Sequence, residues 1–155
     1  MTETLKPLLR GHPFFAGLST RYLTPLARCA SDMVFAEGQS LFREGTTANA
    51  FFLVWEGAVS LEIVPPGNGA LVTATLGPGD VAGMSWLCTP NRWEYDGRAV
   101  ERVRAIRLDS MRLHAECEAD PRLGYELMRR FAALAADRLQ AARLQLLDVY
   151  GASNG

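Results

Sequence analysis

Residues 76–100 read LGPGDVAGMSWLCTPNRWEYDGRAV, and strand-like runs stand on both sides. Upstream are residues 50–64, AFFLVWEGAVSLEIV, and 70–76, ALVTATL; downstream is VRAIRLD, residues 103–109. Inside the stretch a Gly77-Pro78-Gly79-Asp80 turn leads to Gly83 and then a short apolar piece, residues 84–88. Chain that returns through glycine turns into one turn of helix presents backbone N–H groups and a positive helix end, which suits an anion. The rest of the sequence reads as scaffold for this segment, followed by one long helix.

Working outward, residues 32–76 are short apolar runs divided by turn signals. Residues 33–36 end at Glu37-Gly38, 40–43 at Glu44-Gly45, 50–56 at Gly57 and 58–64 at Pro65-Pro66-Gly67-Asn68-Gly69. Such regular spacing predicts an antiparallel sandwich, barrel or jelly roll, which Val81, residues 95–101 and residues 103–108 complete. Before the strands, residues 5–30 predict helix. Thr4 caps a first short piece with Pro7 near its start, His12-Pro13-Phe14-Phe15 breaks it with His12 facing solvent, and Ser19 or Thr20 opens a second piece. After Asp109 the period returns to helical, with Asp109 or Ser110 capping residues 111–118 and Asp120-Pro121 opening a helix to about Tyr150 that Gly151 stops. Its apolar positions Leu123, Leu127, Phe131, Leu134, Leu139, Ala142 and Leu146 fall near heptad spacing, while Arg129, Arg130, Asp137, Arg138 and Arg143 lie mainly off them. A helix of roughly 45 Å at 1.5 Å per residue exceeds what so small a domain can cover, so a homodimer through it is expected.

Composition narrows the function. The 155 residues, 48% hydrophobic and 21% charged, make one core-forming domain. A net charge of −1 argues against a strongly basic nucleic-acid surface. No apolar run reaches the roughly 18 residues of a membrane span. The opening MTETLKPLLR carries no signal-peptide pattern, and Cys29, Cys88 and Cys117 read as reduced thiols, so a cytoplasmic location is expected.

The motifs resemble, over nearly the whole chain, the cyclic-nucleotide-binding domain of the Crp/Fnr superfamily. The pieces that carry the likeness are HPFFAGLS before a helix, Glu37-Gly38, Phe42-Arg43-Glu44-Gly45, Phe52-Leu53-Val54-Trp55-Glu56-Gly57, Leu76-Gly77-Pro78-Gly79-Asp80 and Gly83. The resemblance implies a mainly β fold with flanking helices: a jelly-roll type β-roll plus a long C-terminal helix. Residues 1–120 would form the roll with its N-terminal helices, 121–150 the dimerisation helix and 151–155 a tail. It also implies a phosphate-binding cassette at residues 76–100, and a cyclic nucleotide is the one cofactor it suggests.

The cassette departs from the family pattern. The family glutamate that accepts from the ribose 2′-OH aligns with Met84, and the arginine that pairs with the cyclic phosphate aligns with Trp93, with Arg92 and Arg98 nearby. A one-residue offset on a strand turns a side chain to the other face. Two readings follow. In the first, Gly83, Met84 and Ser85 offer N–H groups and a hydroxyl to a small anionic ligand, Arg92 or Arg98 supplies charge, and Trp86 or Trp93 stacks on a ring. In the second, Met84, Trp86 and Trp93 fill the old pocket, leaving a protein-interaction or accessory module.

Other chemistry is thinner. His114 and Cys117 are three apart with no second ligand pair, so no metal is expected. Cys88 reads as a small buried thiol. No nucleophile–histidine arrangement can be drawn, and Glu94 and Asp96 read as surface salt-bridge partners of the nearby arginines; no enzyme is expected. With no recognition helix and no basic stripe, direct DNA binding is not expected. Arg129, Arg130, Arg138 and Arg143 are a solvated face or a dock for an acidic partner. The expected role is a sensory or regulatory module in which a roll ligand alters the packing of the long helix and an unidentified partner protein reads the change.

Overall fold

The computed structural model describes residues 2–87 and 89–154; Cys88 lies outside them. Among the described residues the helices are α1 (Thr2–Gly11), α2 (Leu23–Arg28), α3 (Ser110–Ala119) and α4 (Pro121–Asn154). The strands are β1 (Ala30–Phe35), β2 (Ser40–Phe42), β3 (Ala50–Glu56), β4 (Val59–Ile63), β5 (Leu71–Leu76), β6 (Val81–Ala82), β7 (Asp96–Ala99) and β8 (Val103–Asp109). They pair antiparallel into two four-stranded sheets, ordered β1-β8-β3-β6 and β2-β7-β4-β5, which close on each other as the expected β-roll.

β3 shows why the layers stack as they do. Its sequence AFFLVWE is apolar on both faces, the signature of a strand covered twice. Phe51 faces the helices, with ring centroids 4.9 Å from Phe131 of α4, 5.4 Å from Trp86 and 6.0 Å from Phe14. Its neighbour Phe52 points into the roll against Phe35 and Phe42, at 5.9 and 6.1 Å. The chain crosses from β3 in one sheet to β4 in the other at Gly57, whose φ of +90° and whose hydrogen, where a Cβ would sit 2.2 Å from the Arg102 carbonyl oxygen, require glycine.

The helices differ from expectation at three points. α1 starts at Thr2, so Pro7 sits inside it; the missing N–H removes only a bond to an exposed first-turn carbonyl, and Leu5 and Leu9 still bury. The second helical piece opens as a 3-10 turn, Thr20–Tyr22, before α2. α4 runs through Gly151 to Asn154, because a glycine stops a helix only when it turns left-handed, and this one does not. Asp109 caps α3 as expected, accepting the Arg112 N–H at 3.0 Å.

α4 divides into two halves. Leu123, Leu127 and Phe131 are buried on the roll and Leu134 packs against the same core, while every residue from Leu139 to Gly151 is exposed. Burying each of those large side chains stabilises the first half by roughly 1.5–3 kcal/mol, and the second half has no such support.

Candidate functional site

The cassette begins at Gly83 (φ +102°) and passes through a single 3-10 turn, Ser85–Leu87. One such turn has almost no macrodipole, so the anion-binding helix end expected here is reduced to a few N–H groups. The loop beyond it is stitched to the turn after β2. The Trp93 N–H donates to Thr46 at 2.9 Å, Gly45 donates to the Trp93 carbonyl at 2.8 Å, and Ala48 donates to Asn91 at 2.7 Å. Arg92 Nη1 adds a bond to the Gly45 carbonyl at 2.8 Å, and Asn91 Nδ2 one to the Trp86 carbonyl at 2.7 Å.

That stitching fixes Trp93 inside the roll. Its ring stacks on Phe42 with centroids 4.0 Å apart and planes within 14°, and it is 3% exposed. Its far edge lies over Gly83, where a Cβ would meet Cη2 at 2.7 Å and Cζ3 at 2.8 Å. Phe42 in turn lies over Gly97. The centre of the roll is therefore a stack of aromatic rings resting on two glycines.

The seven candidate residues do not converge on one cavity. Trp93 is in the roll interior and Met84 is half-buried against the core. Trp86 turns to the opposite side of β3, stacked on Phe51 and edge-on to His114 and Phe131. Ser85 is half-buried on the 3-10 turn, and Arg92 is committed to Gly45. Arg98 lies between the inward-facing Gly97 and Ala99, so it points outward, its Nε 3.3 Å from Glu62 Oε2. Three clefts of about 680, 670 and 400 Å³ open elsewhere on the surface, and none is lined by residues 83–93.

Other expected features are placed differently. His12 does not face solvent: it is 1% exposed, with Nδ1 accepting the Phe14 N–H at 3.2 Å and Nε2 donating to the Val54 carbonyl at 3.0 Å. Both ring nitrogens are satisfied by backbone, so a neutral imidazole buries at little cost, and burial holds its pKa below the ordinary value. Asp96 accepts the Glu44 N–H at 2.7 Å instead of pairing with an arginine, and Glu94 precedes β7 rather than sharing its face. His114 is exposed and Cys117 half-buried, and no group of metal-binding side chains is found among the described residues. Burial pushes the Cys29 thiol up to about 12.

The arginines of α4 are not one solvated face. Arg130 reaches the Phe14 and Ala16 carbonyls at 3.0 and 2.8 Å and Glu126 at 2.8 Å. Arg138 folds onto the Val81 carbonyl of β6, beside Asp80 and Tyr95. The exposed apolar line is also not the expected one, since its first four members went to the core. Tyr125, Met128, Ala132, Ala135, Leu139, Ala142, Leu146 and Val149 follow a strict 3-4 spacing, and all are exposed. That spacing was visible in the sequence, hidden behind the larger side chains of the neighbouring stripe.

The profile described as cyclic nucleotide-binding domain matches residues 32–120, from β1 through α3. This chain belongs to that family. Over 138 residues it is 28% identical to the cyclic AMP receptor protein of Thermus thermophilus, covering 89% of this chain and 62% of that protein. The chain thus spans less than two thirds of that relative's length. A protein of Geobacter metallireducens GS-15 assigned to the cyclic nucleotide-binding proteins superposes with a TM-score of 0.75 at 28% identity, over 89% of this chain and 97% of that one. The N-terminal domain of a transcriptional regulator from Streptomyces coelicolor A3(2) does so with a TM-score of 0.69 at 27% identity, over 86% and 94%. The family resemblance is therefore to Crp-type regulatory proteins, and the cyclic nucleotide-binding fold is theirs. No described helix is long and apolar enough to cross a membrane.

Proposed function

We propose that this chain is a non-catalytic regulatory module of the Crp/Fnr type whose roll is closed by its own side chains and whose output is the pairing of α4 with a second copy. The observation that carries it is Trp93, which stands where the family's phosphate-binding arginine aligns and is stacked on Phe42 across Gly83. A cyclic nucleotide seated in the family's manner would have to displace an indole held by backbone bonds on both sides. The exposed 3-4 line of α4 supports self-association, because a/d spacing sustained from Tyr125 to Val149 is the seam of a two-stranded coiled coil. A parallel arrangement sets Leu139 and Leu146 each against their own counterparts and the small Ala132, Ala135 and Ala142 against theirs.

Thermal-shift titration of the dialysed protein with cyclic AMP and cyclic GMP tests the closed roll. No shift is expected. A true ligand at 100 times its dissociation constant adds about 2.7 kcal/mol, a rise of several degrees at this size. Such a rise, abolished by Arg92→Ala or Arg98→Ala, would overturn the closed roll in favour of a nucleotide sensor built on Gly83, Met84, Ser85, Arg92 and Arg98.

A further inference from the structure

With Tyr125, Leu139 and their equivalents at the a positions of the seam, the g positions are Gly124, Phe131, Arg138 and Gln145. The e positions are Arg129, Ala136, Arg143 and Tyr150, so neither flank holds a carboxylate. In a parallel pair each g residue meets the e residue five further along the other helix. Arg138 would therefore face Arg143 of the second copy, a like-charged contact made twice by symmetry.

The structure places Arg138 elsewhere. Its Nη2 donates to the carbonyl of Val81 in β6, two residues before Gly83, with Asp80 and Tyr95 nearby. The docked position is imperfect. Nη1 is buried with no hydrogen-bond partner, and burial lowers the pKa of the guanidinium from its ordinary value. A cation held by one carbonyl with another donor unsatisfied is held less firmly than one whose donors are all paired.

We propose that Arg138 is a positioning residue that couples the cassette strand to self-association: docked on Val81 it leaves Arg143 of the second copy without a like charge facing it, and undocked it opposes that arginine. Whatever shifts β6 then weakens the pair, and pairing in turn favours the docked cassette. This rests on the parallel α4 pair proposed above.

Sedimentation equilibrium on three variants tests it. Arg138→Lys keeps the charge on a shorter, more strongly hydrated head that loses the carbonyl. Each flanking like-charged pair weakens helix association by a factor of about two, so the symmetric pair should weaken it about fourfold at low salt. Arg138→Gln removes the charge and should leave the dissociation constant unchanged. Arg138→Lys combined with Arg143→Gln should restore the wild-type value, as should ~1 M salt, where the Debye length falls to about 3 Å. Equal weakening by Lys and Gln would reduce Arg138 to a structural contact and overturn the proposal, as would an unaffected Lys variant. A wild-type chain that stays monomeric would refute the α4 pair itself, and the coupling with it.

Discussion

Gly83→Ala isolates the contact that closes the roll. Two costs add. An alanine at a φ of +102° stands in a region L side chains avoid, worth about 1–2 kcal/mol. The new Cβ also meets Trp93 Cη2 at 2.7 Å and Cζ3 at 2.8 Å, well inside the roughly 3.5–4.0 Å optimum for carbon pairs. Trp93 cannot retreat, because Phe42 stacks on its ring and both of its backbone groups are bonded to the turn after β2. Overpacking of this kind costs about 1–3 kcal/mol. The single change should therefore destabilise by about 2–5 kcal/mol in urea melts. Trp93→Phe keeps a ring over Phe42 but removes the outer carbons that make the clash. In that background Gly83→Ala should cost only the backbone share, about 1–2 kcal/mol, leaving a coupling of about 1–3 kcal/mol. A cost equal in both backgrounds to within about 0.5 kcal/mol would mean that the indole does not press on Gly83, and the closed roll would lose its main support.

Two further predictions concern the opening segment and α4. The folded-state pKa of His12 is depressed by burial below the ordinary 6.5 of a solvated imidazole, so below that pH the unfolded chain takes up the proton first. Stability should be constant above about pH 6.5 for this group and should fall as the pH drops toward the folded value; His12→Gln should flatten that limb in urea melts, and an unchanged slope would contradict the assignment. Leu139→Asp changes a residue that is 54% exposed, so the dilute protein should melt within about 0.5 kcal/mol of wild type. Its self-association should weaken more than about tenfold by sedimentation, since a seam carboxylate loses its water in the pair.

Much of the fold could be read from the chain because its punctuation is glycine. Expected and observed strands agree to within a residue or two at β2, β3, β4 and β8, where Glu-Gly turns, a Pro-Pro-Gly turn or a fixed charge ends apolar runs. What stayed hidden was direction in space. Trp86 and Trp93 are seven residues apart and chemically alike, yet one faces the helices and the other the roll, because the loop between them is tied down by Asn91 and the 45–48 turn rather than by any periodic pattern. His12 looked like a solvent-facing turn residue since nothing local predicts the Val54 carbonyl, forty-two residues away in sequence. On α4 the apolar stripe was legible, but its division between core and open seam depends on where the roll ends, which only the packed structure fixes.

β8, the last strand made, lies in the middle of its sheet, between β1 and β3. β1 pairs with it along its whole length, Ala30 opposite Leu108 and Phe35 opposite Val103, and β3 joins from the other side. Until Asp109 has left the ribosome these two strands have no common partner, and each carries an unpaired edge of donors and acceptors. Assembly must then await contacts between the two ends of the roll, the kind of non-local pairing that slows folding and exposes open strands to other chains. A chain cut short of Val103 would lose the strand that ties its sheet together, so the roll is completed from its centre, in one late step.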